Sequence, residues 1–248
     1  RKDNFMWFSE LFKGMSPASF FNFSFLPKYG AYFLQGLGYT LLLAVVSVLL
    51  AVIPALMLAI MRLSKNKLVK GIAGAYIAAF RSTPLLVQLS IIYFGLFGAI
   101  TIPRVTVFGF LDISRFIPGV VALALNSSAY VAEIFRAGIL AVDVGQTEAA
   151  RSLGLNGFQS MRLIVLPQAI KNVLPALANE IVTMVKESSI CMMLGMSELM
   201  FVAKNVASTT YISIAPYVVA AIIYFCINYP ASKAIEAIER RMRRGDKV

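Results

Sequence analysis

The hydrophobic pattern of the chain consists of long uncharged stretches separated by short polar connections. The first stretch has no charged residue between Tyr29 and Met61, and a helix needs only about 20 apolar residues to cross a bilayer. Four more apolar stretches follow. The predicted spans are approximately Tyr32–Met61, Leu68–Phe97, Phe116–Leu140, Pro167–Leu194 and Ala215–Ile238. The pattern therefore predicts an all-α membrane protein with about five transmembrane helices.

Two parts of this pattern have more than one interpretation. The fourth span contains Lys171 and Pro175, so either it begins at Pro167 or a short leading helix precedes a span that begins near Pro175. Residues 1–30 mix aromatic and charged residues, and no window there is long enough to cross a bilayer. Because aromatic side chains favour the membrane interface, we interpret this part as an interfacial, extracytoplasmic segment, with a disordered terminus as the alternative. Residues 31–248 then form one transmembrane domain.

The placement of the basic residues predicts the orientation in the membrane. The connection 62–70 carries four basic residues and no acid, and the tail 240–248 is also strongly basic. By the positive-inside rule, both lie in the cytoplasm. The N-terminus is then outside and the C-terminus is cytoplasmic. The connections 98–115 and 197–213 are external, and the stretch 143–167 is cytoplasmic.

The composition supports an integral membrane protein and argues against several other classes. Hydrophobic residues make up 59% of the chain and charged residues 14%, against about 45–50% and about 25% in soluble domains. The net charge of +11 does not indicate nucleic-acid binding, because the basic residues cluster at the ends of apolar stretches. The chain has no histidine, which argues against imidazole metal sites and histidine-based catalysis. We therefore predict membrane lipid as the surroundings, with no catalytic residue, no metal site and no nucleic-acid partner.

Polar and charged side chains inside the spans are the candidate substrate-binding residues. A charge at bilayer depth costs at least about 2.5–3.5 kcal/mol, so it normally faces a partner or a water-filled cavity. Asn126, Tyr130 and Glu133 are spaced to share one face of the third span. The complete candidate set is Arg81, Asn126, Tyr130, Glu133, Glu180, Thr183 and Ser188. This mixture of cationic, anionic and neutral groups suits a substrate that carries both an ammonium and a carboxylate.

Structural roles are open for the same side chains. Arg81 and Glu133 can instead form an ion pair between the second and third spans, because buried charges usually pair. Asn126 and Tyr130 can instead make hydrogen bonds between helices. Glu133 and Glu180 could act as acid and base in a membrane enzyme, but the absence of histidine and of a nucleophile motif makes this interpretation remote.

A polar stretch between the third and fourth spans, Gln146–Pro167, contains two short predicted helices. Thr147 can cap the first helix, and Gly154 can end it in a left-handed turn. Asn156 can cap the second helix, and Pro167 fits the first turn of the next one because it has no N–H group. The apolar side chains of the stretch are too many for a solvated loop: Ala149, Ala150, Leu153, Leu155, Phe158 and Met161. We predict that they form a surface that binds a groove on another protein.

The same stretch carries a family signature. It reads Glu148-Ala149-Ala150, three residues, Gly154, nine residues, Ile164, one residue and Leu166-Pro167. This pattern resembles the EAA motif of the membrane subunits of bacterial ABC importers, EAA-x3-G-x9-I-x-LP, at every defining position. An amphipathic linker between two membrane helices is the alternative interpretation. The resemblance implies that the loop 143–167 couples the chain to an ATPase through Glu148, Ala149, Ala150, Gly154, Leu155, Phe158, Leu166 and Pro167.

Three further segments resemble the polar amino-acid branch of these permeases. They are residues 81–88 (RSTPLLVQ), 126–136 (NSSAYVAEIFR) and 186–189 (KESS). The resemblance covers most of the chain and implies the type I importer permease (MetI-like) fold. Residues 1–30 alone depart from the family pattern.

The chain has no G-x-x-x-x-G-K-[ST] phosphate loop, so it is not expected to hydrolyse ATP itself. The resemblance implies a transport subunit, not an enzyme, in the plasma (inner) membrane of a bacterium. This chain is expected to bind no cofactor, and ATP and Mg²⁺ are expected on a separate ATPase. The expected assembly contains two ATPase subunits, a second permease chain (a copy of itself or a similar paralogue) and an extracytoplasmic substrate-binding protein.

The expected cargo is a polar amino acid. The sequence does not distinguish cystine, glutamine, basic and acidic amino acids. The alternative function is an ion-coupled secondary carrier or a channel. The EAA loop argues against that alternative, because a self-sufficient carrier has no reason to keep an element that docks on an ATPase.

Overall fold

The computed structural model describes residues 21–244, with the backbone alone for residues 243 and 244. The helices in this range are labelled in chain order α1 (Leu26–Leu63), α2 (Lys67–Ser82), α3 (Leu85–Ser90), α4 (Ile113–Leu140), α5 (Val144–Ser152), α6 (Gly157–Ser160), α7 (Leu166–Glu187), α8 (Leu199–Thr210) and α9 (Ala215–Arg244). Residues 1–20 of the predicted interfacial segment lie outside the described residues, and residues 26–30 already belong to α1.

Short elements of other types connect these helices. Ile91–Leu96 and Met161–Val165 are π-helical, and Phe97–Ala99 and Ser188–Leu194 are 3₁₀-helical. Two strands, β1 (Thr106–Val107) and β2 (Leu111–Asp112), form an antiparallel hairpin in the predicted connection 98–115. The Asp112 side chain then accepts a hydrogen bond from the Ser114 N–H at 3.0 Å and so caps α4.

The predicted spans agree with the apolar helices of the structure. α1, α4 and α9 are each long and apolar enough to cross a membrane, and they correspond to the first, third and fifth predicted spans. Two bent pairs also have the length and composition of a span: α2 with residues 85–99, and residues 157–194 with α8. Residues 21–244 therefore contain three unbroken candidate spans, or up to five if each bent pair is one span.

The second predicted span, 68–97, is not one continuous helix. α2 is followed by a bend of 107° before residues 85–99. The bend follows from two residues. Pro84 has no N–H to donate, and Thr83 is extended (φ −114°, ψ 149°), as expected of a residue before proline. Arg81 therefore lies in the last turn of α2, directly before a break in the span.

The region of the fourth predicted span also differs from the prediction. α7 is continuous through Pro175, so no separate leading helix forms before that residue. The predicted connection 197–213 contains a further helix, α8, which the hydrophobic pattern did not predict. Twelve residues are too short to cross a bilayer, so the pattern gave no reason to expect a helix there.

α1 packs in the centre of the described structure. Tyr39, Leu43 and Val48 of α1 share a buried core with Leu123 of α4 and Met184 of α7. In a bilayer, helix contacts of this kind are held by close packing, because lipid tails are as apolar as the side chains.

Glycines permit the closest helix approaches. A Cβ on Gly36 of α1 would lie 2.8 Å from Val202 Cγ2 of α8. Gly138 of α4 lies directly against Val173 of α7. Small residues commonly allow helix backbones to approach in membranes. The second contact joins the two helices that flank the loop 143–167.

Candidate functional site

A cavity of 490 Å³ is lined by residues from the end of α1, α2 and α4. We call it the arginine cavity. Three predicted substrate-binding residues line it, namely Arg81, Tyr130 and Glu133. Arg62, in the last turn of α1, lines it too, although the sequence pattern placed this residue only in a basic connection. The structure thus brings together the arginine, the tyrosine and one of the two glutamates of the predicted set.

Arg81 presents its guanidinium group at this cavity. Its Cζ lies 5.4 Å from the centroid of the Tyr130 ring, a cation–π arrangement worth about 0.5–2 kcal/mol depending on desolvation. The Arg81 side chain is exposed. A ring on one face of the guanidinium plane leaves the N–H donors around its edge uncovered by that ring.

Glu133 forms its ion pairs with Arg62 and Arg136. Its Oε2 accepts from Arg136 Nε at 2.9 Å and from Nη2 at 2.7 Å. The Arg62 Nε lies 3.7 Å from the other carboxylate oxygen. Together with Arg81, three guanidinium groups accompany this one carboxylate, so the cluster is net positive.

Asn126 does not line the arginine cavity and is buried. Its Nδ2 donates to the Oε1 of Gln88 at 2.7 Å. The hydrogen bond between helices, one of the two interpretations that the sequence allowed, is therefore present. Gln88 is also buried and was missing from the predicted set. Gln88 is the last residue of the family-like segment RSTPLLVQ, and this position could have indicated it as a candidate.

The three candidates from the fourth span are not brought into the arginine cavity. Glu180 accepts a hydrogen bond from Ser127 Oγ of α4 at 2.9 Å. Ser188 is buried and donates to the Val185 carbonyl at 3.0 Å. Thr183 is half-buried on α7. Glu180 and Ser188 thus have protein partners, and substrate contact by these three residues stays a prediction.

Glu198 is a buried carboxylate that sequence reasoning missed. It accepts from the backbone N–H groups of Met200 at 2.8 Å and Phe201 at 2.6 Å, and so caps α8. The Tyr224 hydroxyl of α9 donates to it at 3.3 Å. Thr40 Oγ1 of α1 accepts from the backbone N–H at the start of α8 at 3.0 Å. These bonds tie α8 to α1 and α9.

The first helix of the loop 143–167 begins earlier than predicted. Asp143 caps α5, with its side chain accepting from the Gly145 N–H at 2.7 Å. The prediction that Thr147 is the cap is wrong. Both residue types are good N-caps, and the helix begins at the one that comes first in the chain.

The turn at Gly154, the cap at Asn156 and the position of Pro167 follow the prediction. Gly154 has φ +86° and ends the turn after α5 in the left-handed region that favours glycine. Asn156 caps α6 through a capping box with Gln159, in which both hydrogen bonds are 2.9 Å long. Pro167 lies in the first turn of α7. Local hydrogen bonds therefore fix the shape of this loop.

The apolar side chains of the loop divide into a buried anchor and an exposed surface. Ala150 was predicted to belong to the binding surface but is 4% exposed and so packs inside this chain, whereas Leu153 is 84% and Phe158 is 74% exposed. Exposed apolar groups on two capped helices are typical of an interaction site. We call Val144, Leu153 and Phe158, all exposed, the loop surface. Five other predicted contact residues are also exposed, namely Glu148, Ala149, Gly154, Leu166 and Pro167, and Leu155 is half-buried.

The chain matches known sequences over most of its length. Residues 47–244 match the family described as "Binding-protein-dependent transport system inner membrane component". The chain belongs to this family. The predicted resemblance to ABC importer permeases and the predicted inner-membrane location are thereby confirmed.

Two curated relatives of this inner membrane component show the extent of the match. The "Arginine transport system permease protein ArtQ" of Bacillus subtilis (strain 168) is 39% identical over 215 residues, which are 87% of this chain and 94% of the relative. The "Putative glutamine transport system permease protein GlnP" of Rickettsia typhi (strain ATCC VR-144 / Wilmington) is 40% identical over 218 residues, which are 88% of this chain and 95% of the relative.

A solved structure confirms the fold of this inner membrane component. The "Crystal structure of an amino acid ABC transporter with histidines" matches with a TM-score of 0.79 and 46% identity, over 89% of this chain and 98% of that chain. The type I importer permease (MetI-like) fold is therefore confirmed. The orientation of the termini stays a prediction.

Proposed function

We propose that the chain is the permease subunit of an ATP-driven importer of a polar amino acid, and that ATP energy reaches it through the loop 143–167. The observation that carries this proposal is the loop surface of Val144, Leu153 and Phe158, held on two capped helices inside the EAA motif. The chain has no phosphate loop, so in this proposal ATP is hydrolysed by a partner that docks on the loop surface.

The proposed assembly contains two permease chains, two ATPase subunits with ATP and Mg²⁺, and an extracytoplasmic binding protein. Closure of the ATPases moves the two loops. The close contact of Gly138 with Val173 joins α4 and α7 at the base of each loop. The helices therefore move together, as rigid-body switching between two states requires.

The proposed cargo is recognised through its carboxylate. ArtQ is named for arginine transport and GlnP for glutamine transport, and these two cargoes share the amino-acid backbone and differ in side-chain charge. Arg81 offers guanidinium donors at a cavity whose charged cluster is net positive. Planar guanidinium groups bind carboxylates with paired hydrogen bonds.

Arg81→Gln is expected to weaken the binding of every transported amino acid by roughly 10- to 100-fold, because hydrogen bonds to charged groups contribute about 1.5–3 kcal/mol. Titration calorimetry of the purified permease–ATPase complex without binding protein measures this, with cystine, glutamine, arginine and glutamate as test cargoes. Arg104→Gln is the matched control, since Arg104 is exposed in the connection before β1. Equal affinities for wild type and Arg81→Gln would overturn the carboxylate role.

A further inference from the structure

The bend between α2 and α3 removes helical hydrogen bonds from backbone carbonyls. In a regular helix the Phe80 carbonyl accepts from residue 84, but Pro84 has no N–H. The Ala79 carbonyl, whose donor would be the Thr83 N–H, accepts instead from Thr83 Oγ1 at 2.8 Å. A carbonyl left unpaired away from water costs about 1–3 kcal/mol. The carbonyls at the bend therefore need another donor.

Gln88 supplies that donor from α3. Its Nε2 lies 2.8 Å from the Phe80 carbonyl, 2.9 Å from the Thr83 carbonyl and 2.8 Å from Thr83 Oγ1. The side chain thus folds back across the bend and replaces the hydrogen bond that proline removes. Its two N–H groups are shared among three acceptors, all within one turn of the break.

Asn126 of α4 fixes the other end of the Gln88 amide. Its Nδ2 donates to Gln88 Oε1 at 2.7 Å, between two buried residues. Both ends of the Gln88 amide are therefore engaged, and the bend is bonded to α4. Tyr130, one turn further along α4, lies under the Arg81 guanidinium. α4 thus both anchors the bend and contacts Arg81, which lies just before the bend.

We propose that Gln88 is a positioning residue for transport, which holds the α2–α3 bend against α4 and thereby places Arg81 at the arginine cavity. The inference rests on the proposed function in one respect, the contact of Arg81 with the cargo. It gives Gln88 and Asn126 the role of holding the bend in the position that the site requires.

Two near-isosteric variants test the roles of the N–H end and the oxygen end of the Gln88 amide separately. Gln88→Met removes the donor and the acceptor. Gln88→Glu keeps an acceptor for Asn126 but places a carboxylate oxygen, which has no N–H, against the Phe80 and Thr83 oxygens. Both are expected to weaken cargo binding by roughly tenfold, because the partly buried Phe80 and Thr83 oxygens lose their donor. Both are also expected to change the angle of the bend.

The bend is measured in the permease–ATPase complex in lipid nanodiscs, by the distance between spin labels at Ile72 and Phe94. Both positions are exposed and lie on either side of the break. Cys191 and Cys226 are first replaced by alanine. The expected result is a shifted and broadened distance distribution for both Gln88 variants. Cargo affinity is measured on the same samples without binding protein.

Two further variants complete the design. Ser90→Ala is the matched control, because Ser90 is on α3 and its hydroxyl donates to the Leu86 carbonyl of its own turn at 2.8 Å. It is expected to leave distance and affinity unchanged. Thr83→Val removes one exposed hydroxyl and is expected to give a smaller shift in the same direction. If the Gln88 variants do not assemble with the ATPase, the distance measured in Thr83→Val tests the positioning role instead.

An unchanged distance in Gln88→Met overturns the positioning role, whatever happens to affinity. A shifted distance with unchanged affinity overturns it too. A wild-type distance in Gln88→Glu would show that the Asn126 bond alone holds the bend. The proposed function fails separately, if Arg81→Gln keeps its cargo affinity while the bend is intact.

Discussion

Replacement of both Leu153 and Phe158 by aspartate is expected to abolish amino-acid uptake and to release the ATPase subunits from the purified complex. A large apolar side chain buried at an interface contributes about 1.5–3 kcal/mol, so the pair contributes about 3–6 kcal/mol, or at least a hundredfold in affinity. Neither side chain supports the fold, since they are 84% and 74% exposed. Co-purification of the ATPase with a tagged permease, followed by uptake in proteoliposomes, measures both effects.

Ser152→Ala is the matched control for this variant. Ser152 is on α5, and its hydroxyl donates to the Glu148 carbonyl of the same helix at 3.1 Å. Both ATPase binding and uptake are expected to persist. Retention of the ATPase by the double aspartate variant would contradict the docking role of the loop surface. Persistence of both properties after deletion of residues 147–157 would contradict coupling through the whole loop.

Glu133→Gln is expected to lower the stability of the complex substantially. The Glu133 side chain is 19% exposed and pairs with Arg136 at 2.7 Å and with Arg62 at 3.7 Å. Loss of its charge leaves neighbouring guanidinium groups without a counter-charge. Breaking a fully buried pair costs about 3–5 kcal/mol, and the partial exposure here reduces the expected cost to about 2–3 kcal/mol. Thermal unfolding in nanodiscs should show a midpoint lower by roughly 5–10 °C.

Glu236→Gln provides the comparison for this loss. Glu236 pairs with Lys233 at 2.9 Å, but its side chain is 46% exposed. Removal of such a solvent-screened surface pair is expected to leave the unfolding midpoint almost unchanged. If Glu133→Gln costs no more than Glu236→Gln, the cluster of Glu133 with two arginines does not hold α1 against α4.

Hydropathy predicted the spans well because it reports the match between side chains and the bilayer. It failed at the bend, because the apolar residues on both sides of Thr83–Pro84 form one apolar window whatever the angle between them. It also failed at α8, which packs against α1 through Gly36 and Val202 and is too short to cross a bilayer. The local chemistry of Pro84 and Thr83 decides the bend, whereas packing between distant segments decides the position of α8.

In the candidate site, too, some features were predicted from the sequence and others were missed. Gly154 and Asn156 were predicted correctly because caps and left-handed turns depend on neighbouring residues. Thr147 failed because Asp143, also a good cap, comes earlier in the chain. The partners of Glu133 and Asn126, namely Arg62 and Gln88, come from other helices. The sequence singled out Glu133 and Asn126 and gave no means to find these partners.

Uptake by the reconstituted system tests the central claim most directly. Proteoliposomes would contain the permease, its ATPase and its binding protein, with a radiolabelled amino acid outside and an ATP-regenerating system facing the ATPase. The account predicts accumulation that requires ATP and Mg²⁺, stops with vanadate and survives collapse of the proton and sodium gradients. Accumulation without the ATPase, driven by an ion gradient, would contradict it and would identify the chain as a secondary carrier.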